Sequence, residues 1–128
     1  MKLWQRIFGR SESLGARGER LAAKYLKRRG YRILERNLEV HDDEADLLAL
    51  DPDGSTIVIV EVKTRKDDGI APEASVNSIK QRNLKRLAMK LQQQTPYRDR
   101  PMRFDVIAIV LPDRAEPVIR HIVSAFGA

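Results

Sequence analysis

Apolar residues recur along this chain with two different periods, and the change from one to the other marks out its elements. Leu14, Gly18, Leu21, Ala22, Tyr25 and Leu26 fall at helical spacing and predict a helix over residues 14–29. Gly30 follows as its stop, and Lys27, Arg28 and Arg29 crowd the last turn, where the helix dipole favours cations. Residues 31–38 and 44–50 then predict two strands, with Asp51-Pro52-Asp53-Gly54 as a strong turn signal after the second. The clearest strand is 56–63, TIVIVEVK, whose run of β-branched residues implies burial on both faces and a central place in a sheet. Residues 67–72 predict a loop, and a second helix is expected from about 74 to 94 on the stripe Val76, Ile79, Leu84, Leu87, Ala88 and Leu91. A loop at 95–101, a strand at 103–111 and a last strand at 117–123 complete the order. Helix, three strands, helix, strand, strand predicts an α/β fold with a mixed sheet flanked by helices.

Length and composition narrow this picture. The 128 residues fit one ordinary domain, taken as 14–128 behind an N-terminal arm at 1–13. The chain has no cysteine, which removes disulfides, zinc–thiolate sites and cysteine nucleophiles and fits a reducing, cytoplasmic setting. No apolar run approaches the ~20 residues of a membrane span, so no membrane partner is expected. The opening MKLWQRIFGR lacks the features of a secretory signal. It places Leu3, Trp4, Ile7 and Phe8 on one helical face beside Lys2, Arg6 and Arg10. That face could touch a membrane or a partner; a short arm that packs on the domain or frays is preferred, because so short a helix is marginal. The net charge of +6, from 24 Lys and Arg against 18 Asp and Glu, points to a polyanionic partner, and nucleic acid is the commonest.

The informative chemistry is a misplaced set of charges. Glu61 and Lys63 end the most apolar strand and, being two residues apart, share a face. Isolated charges are costly to bury, so these are either paired or used. A hairpin closed by Asp53-Gly54, or by the four residues from Pro52 to Ser55, opposes residues whose numbers sum to 107. Asp46 then faces Glu61 and Glu44 faces Lys63, with Cβ atoms about 4.5–5.5 Å apart. Two opposed carboxylates repel unless a proton or cation lies between them. Mg²⁺ (or Mn²⁺) is the natural cation, since it accepts one or two protein carboxylates and completes its shell with water and phosphate. Lys63 could position a water or stabilise charge growing on a phosphate, so the set fits metal-assisted phosphodiester hydrolysis. The same spacing also fits a structural ion-pair cluster, with Glu44 as the partner of Lys63.

These residues resemble a known pattern. Asp46 followed by Glu61-x-Lys63 resembles the PD-(D/E)xK motif of restriction-endonuclease-like folds. The chain as a whole resembles the small bacterial YraN-type endonuclease-like family, itself similar to archaeal Holliday junction resolvases. The matching segments are Gly15-Ala16-Arg17-Gly18-Glu19, Gly30-Tyr31-Arg32-Ile33-Leu34 with Arg36-Asn37, Glu44-Ala45-Asp46-Leu47-Leu48-Ala49, and Val60-Glu61-Val62-Lys63-Thr64-Arg65. Lys80, Arg103-Phe104-Asp105 and His121-Ile122 with Ala125-Phe126 also fall where the family has them, so the likeness covers roughly residues 14–126. Two positions depart from it: Asp43 replaces a glycine and adds negative charge near the expected metal, and Ala45 replaces an isoleucine.

The resemblance implies a restriction-endonuclease-like sheet and an active-site set of Glu19, Asp46, Glu61 and Lys63, with Asp46, Glu61 and Glu19 as metal ligands. The residues themselves support Glu19 only mildly, as a carboxylate on the flank of the first helix's apolar stripe that could also be an ordinary exposed glutamate. Lys80 stands on the second helix's stripe, either as a phosphate contact or as a lysine whose stem snorkels to water. With Arg65, Arg82 and Lys85 it is expected to meet the nucleic-acid backbone, and basic residues on both helices (Lys24, Lys27, Arg28, Arg29, Arg86, Lys90) add to that charge. Asp105 is read as structural and His121 as a strand-face residue. The expected function is a metal-dependent nuclease acting on DNA in preference to RNA without strong sequence specificity. Branched DNA would suit a symmetric homodimer. The alternative is a non-catalytic module that keeps a nuclease fold and binds nucleic acid or a partner protein.

Overall fold

The computed structural model describes residues 12–67 and 76–127. The N-terminal arm's first eleven residues and most of the loop expected at 67–72 lie outside them. Helix α1 (Leu14–Arg28) is followed by strands β1 (Arg32–Val40), β2 (Asp43–Leu50) and β3 (Ile57–Arg65), helix α2 (Ser78–Gln92), and strands β4 (Met102–Val110) and β5 (Val118–Phe126). The sheet order is β1-β2-β3-β4-β5, antiparallel except for the parallel pair β3–β4 that α2 bridges. This is the expected helix–three strands–helix–strand–strand order with a mixed sheet.

The ends of α1 follow from local chemistry. The Ser13 hydroxyl accepts the Ala16 N–H at 3.1 Å and caps the start. At the other end Gly30, at φ 91°, lets its own N–H reach Lys27 O and the Tyr31 N–H reach Leu26 O, closing the last carbonyls from within the backbone. Helix α2 starts later than expected, at Ser78. Asn77 takes an extended conformation and accepts the Lys80 N–H, so the helix cannot continue back through it. A short 3₁₀ turn, Thr95–Tyr97, occupies part of the expected loop before β4.

β3 is central and buried on both faces, as its composition required. Val58 and Val60 pack with Ala22, Leu26, Leu47 and Ile109 under α1. Ile57 and Ile59 pack with Leu48, Leu84, Leu87, Leu91 and Phe104 under α2. Fully burying each such aliphatic side chain is worth about 1.5–3 kcal/mol, so the two helices hold the sheet from opposite sides. Alternation along β3 then carries Glu61 and Lys63 to the α2 side, and the chain delivers Glu19 from the α1 side. Among the described residues no helix is long and apolar enough to cross a membrane.

Candidate active site

The β2–β3 hairpin has the register that the turn signal implies. Leu47, Leu48, Ala49 and Leu50 pair with Val60, Ile59, Val58 and Ile57, each pair summing to 107. The ladder then stops. Instead of continuing to face Glu61 across a backbone pair, Asp46 turns its carboxylate to the opposite strand, and Oδ2 accepts the Val62 N–H at 2.7 Å. The strands part at this point, and the gap between them is the candidate site.

Three carboxylates and two ammonium groups meet there. Glu61 is 4% exposed although its side chain is ionisable. Its Oε1 lies 4.0 Å from Lys63 Nζ, and its Oε2 lies 3.5 Å from Lys80 Nζ on α2. Lys80 is close enough to attract that oxygen but makes no hydrogen bond to it, and Oε2 is a buried polar atom with no hydrogen-bond partner. Glu19 arrives from α1 because Gly18 lets that helix approach β3 closely. A Cβ at Gly18 would collide with the Thr64 side chain. Glu19, Asn37, Glu39, Glu44 and Asp46 line a small cleft of about 250 Å³.

The carboxylates press on one another. Burial, and then the neighbouring Asp46 carboxyl, push Glu61 up to about 8, while Lys80 and Lys63 pull it back only in part. Burial followed by the charge of Asp46 raises Glu19 to about 7, and Glu44 adds to the effect. Desolvation and like charge both penalise the ionised form, so these groups hold protons at pH values where an ordinary glutamate has lost them.

Among the described residues no three Asp, Glu, His or Cys side chains stand in a ready-made metal-binding arrangement. The donor set nonetheless fits a hard cation. It consists of oxygen donors only, one of them a buried orphan, and their mutual repulsion is what a divalent ion would relieve. A Mg²⁺ ion needs only one or two protein carboxylates if water and phosphate complete its shell.

The structure sorts the remaining expected residues. Lys80 is at the site. Arg65 is exposed at the end of β3, where its Nη1 donates to its neighbour's carbonyl, Thr64 O. Arg82 is exposed and, two residues after Lys80, lies about 200° round the helix from it. Lys85 lines a separate apolar groove with Ala88, Met89, Met102 and Phe104. Three expectations are corrected. Glu44 is exposed and stands opposite Glu39 in the β1–β2 ladder, so Glu61 and not Glu44 is the carboxylate beside Lys63. Asp43 does not add charge to the site. It is buried against α2, where Arg86 donates to both of its oxygens at 2.8 and 2.6 Å and Lys90 donates at 2.9 Å. Arg86 and Lys90 are thereby occupied and are not free cations for a phosphate. Asp105 and His121 are structural, as expected. Asp105 accepts two hydrogen bonds from Arg103, one from the Ser124 N–H and one from His121 Nε2 at 2.7 Å. Asn37 is a cleft residue that sequence reasoning gave no role, and it takes a left-handed φ of 50° within β1.

A mixed sheet between two helices, with Asp46 and Glu61-x-Lys63 where β2 and β3 part, defines a restriction-endonuclease-like domain. The comparisons with known proteins place it further. The model of the uncharacterised protein family UPF0102 matches residues 18–109, and the chain belongs to that family, which bears out the resemblance to YraN-type endonuclease-like proteins. It is 45% identical over 117 residues to a UPF0102 protein of Geotalea uraniireducens, covering 91% of each chain. It is 44% identical over 114 residues to one of Geobacter sulfurreducens, covering 88% of each. Among solved structures, a protein of unknown function from Silicibacter pomeroyi, SPO1766, aligns at 14% identity with a TM-score of 0.43, covering 88% of this chain and 73% of the other.

Proposed function

We propose that this chain is a nucleic-acid-binding domain built on a nuclease fold, with the gap between β2 and β3 receiving a backbone phosphate. The supporting observation is the meeting of Lys63 and Lys80 at one buried carboxylate on a chain of net charge +6. A phosphate between the two ammonium groups would take their charge, and contact with backbone alone carries no base readout.

A second reading, cleavage of the bound strand, is favoured by the orphaned Glu61 Oε2 and by the crowding of Glu19, Asp46 and Glu61. Asp46 and Glu61, with Glu19 beside them, would hold a divalent cation, Mg²⁺ or Mn²⁺. When bound, that ion supplies a Lewis acid and lowers the pKa of a coordinated water. This chain's own contribution is to keep the carboxylates in place through the Val62 N–H bond, to limit water at the buried Glu61, and to set Lys63 and Lys80 against phosphate charge.

Labelled duplex, single-stranded and branched DNA and single-stranded RNA, titrated by anisotropy over a salt series with and without Mg²⁺, separate the readings. The binding reading expects affinity that falls with salt and is indifferent to metal and to Glu61→Gln. The cleavage reading expects Mg²⁺- or Mn²⁺-dependent product that Asp46→Asn reduces by roughly a hundredfold or more. No salt-dependent affinity for any substrate overturns both.

A further inference from the structure

A groove of about 660 Å³ runs between α1 and the segment that leads into β5. Leu21, Lys24, Tyr25 and Arg28 stand at positions i, i+3, i+4 and i+7 of α1 and form one stripe along it. Measured from Glu19, the four stripe residues lie between about 140° and 240° round the helix, and Arg28, nine positions on, is about 13 Å along it. The groove is therefore a separate feature of the same helix.

Several cations of the molecule are already held by carboxylates. Arg86 and Lys90 are held by Asp43, Arg103 by Asp51 and Asp105, and Arg20 by Glu12. Lys24 and Arg28 are exposed and have no carboxylate partner among the described residues. Nor are they used to cap the helix, because the Gly30 and Tyr31 N–H groups already close its end. Arg29 adds a third cation, its guanidinium 4.8 Å above the centre of the Tyr25 ring. That ring is itself fixed. The Tyr25 hydroxyl is 3.3 Å from His121 Nδ1, and His121 is anchored by the buried Asp105. Leu21 and Ile119, packed on the core, supply an apolar floor. The lining holds one carboxylate, Glu116.

We propose that this groove is a second phosphate site, which grips the backbone of a nucleic-acid strand away from the β2–β3 cleft. It rests on the nucleic-acid reading above. The ligand chemistry is a phosphate ester with an attached apolar face. Unpaired cations take the phosphate, while Leu21 and Ile119 accept the sugar or base edge, as in single-strand grooves that combine basic and apolar contacts.

The test compares charge reversals of equal size at neighbouring positions, in the full chain, after thermal melts show that each variant keeps its fold. A labelled single-stranded oligonucleotide is titrated by anisotropy over a salt series. The Lys24→Glu/Arg28→Glu double variant is expected to lose about tenfold or more in affinity and to lower the slope of log K against log salt by about 1.4, two single-strand contacts' worth. Arg28→Glu alone should cost several times more than Lys27→Glu, which makes the same change of charge outside the groove. Glu116→Gln should tighten binding about twofold. Equal effects of Arg28→Glu and Lys27→Glu, with an unchanged salt slope in the double variant, overturn the proposal. A parallel arm titrates adenosine monophosphate against the Tyr25 and His121 resonances. If the wild type binds no oligonucleotide, the nucleic-acid reading fails. The groove then stands as a free-nucleotide site only if the monophosphate shifts those resonances and Lys24→Glu/Arg28→Glu abolishes the shift, and it is overturned if neither occurs.

Discussion

The molecule buries carboxylates in two ways. Asp43 and Asp105 are as inaccessible as core aliphatics, yet each is surrounded by donors, and hydrogen bonds from Arg86 and Lys90 or from His121 and Arg103 hold both below the usual carboxylate range. Glu61 is buried almost as deeply, with one oxygen that makes no hydrogen bond, and it is held above that range together with Glu19. A satisfied buried charge fastens elements together, in one case β2 to α2 and in the other β4 to β5. An unsatisfied one is destabilising as it stands, and such groups concentrate where a fold binds or reacts.

The largest test of this contrast is on the satisfied side. Asp105→Ala removes the acceptor of Arg103, His121 and the Ser124 N–H together, and it should cost about 3–5 kcal/mol in urea unfolding. A loss below about 1 kcal/mol would mean that the network does not fasten β5. A smaller effect is expected at the helix approach. Gly18→Ala should cost about 1–3 kcal/mol by overpacking, and Thr64→Ala in the same chain should recover much of it. If Thr64→Ala brings no recovery, the close contact of α1 with β3 is not the cause.

A third effect is set apart by its sign. The folded value of Glu61, about 8, lies above its ordinary value of 4.5. Between those values the folded protein binds more protons than the unfolded chain, so stability should fall as pH rises from 5 toward 8.5. It is seen as a declining melting temperature without divalent ions. Glu61→Gln should lessen the decline, leaving the part that Glu19 contributes, and Mg²⁺ should reverse it in the wild type but not in the variant. A melting temperature that rises over this range would place Glu61 among the satisfied carboxylates instead.

Much of this was legible before any coordinates. The β2–β3 register followed from the Asp51–Gly54 turn signal, because two strands joined by a short loop have few ways to pair. The central place of β3 followed from its unbroken β-branched run. What local pattern could not supply was the destination of individual charges. Asp43 differs from Asp46 only in which element lies across from it, and Arg86 looks like any solvated helix arginine until Asp43 is found 2.6 Å away. The delayed start of α2 was also unforeseen, since its apolar stripe extends through Val76 while the cap that stops it sits at Asn77.

The trio Asp46, Glu61 and Lys63, the sheet that carries it and the two helices are properties of the sequence, because periodicity and turn chemistry act between near neighbours in the chain. Other features were decided only by tertiary structure. These are the approach of Glu19 over Gly18, the Asp46 bond to the Val62 N–H where the β2–β3 ladder ends, the Glu61 oxygen without a hydrogen bond, and the carboxylates that hold Arg86, Lys90 and Arg103. Each depends on groups distant in sequence competing for the same space and the same hydrogen bonds, and burial is what makes the outcome of that competition matter energetically.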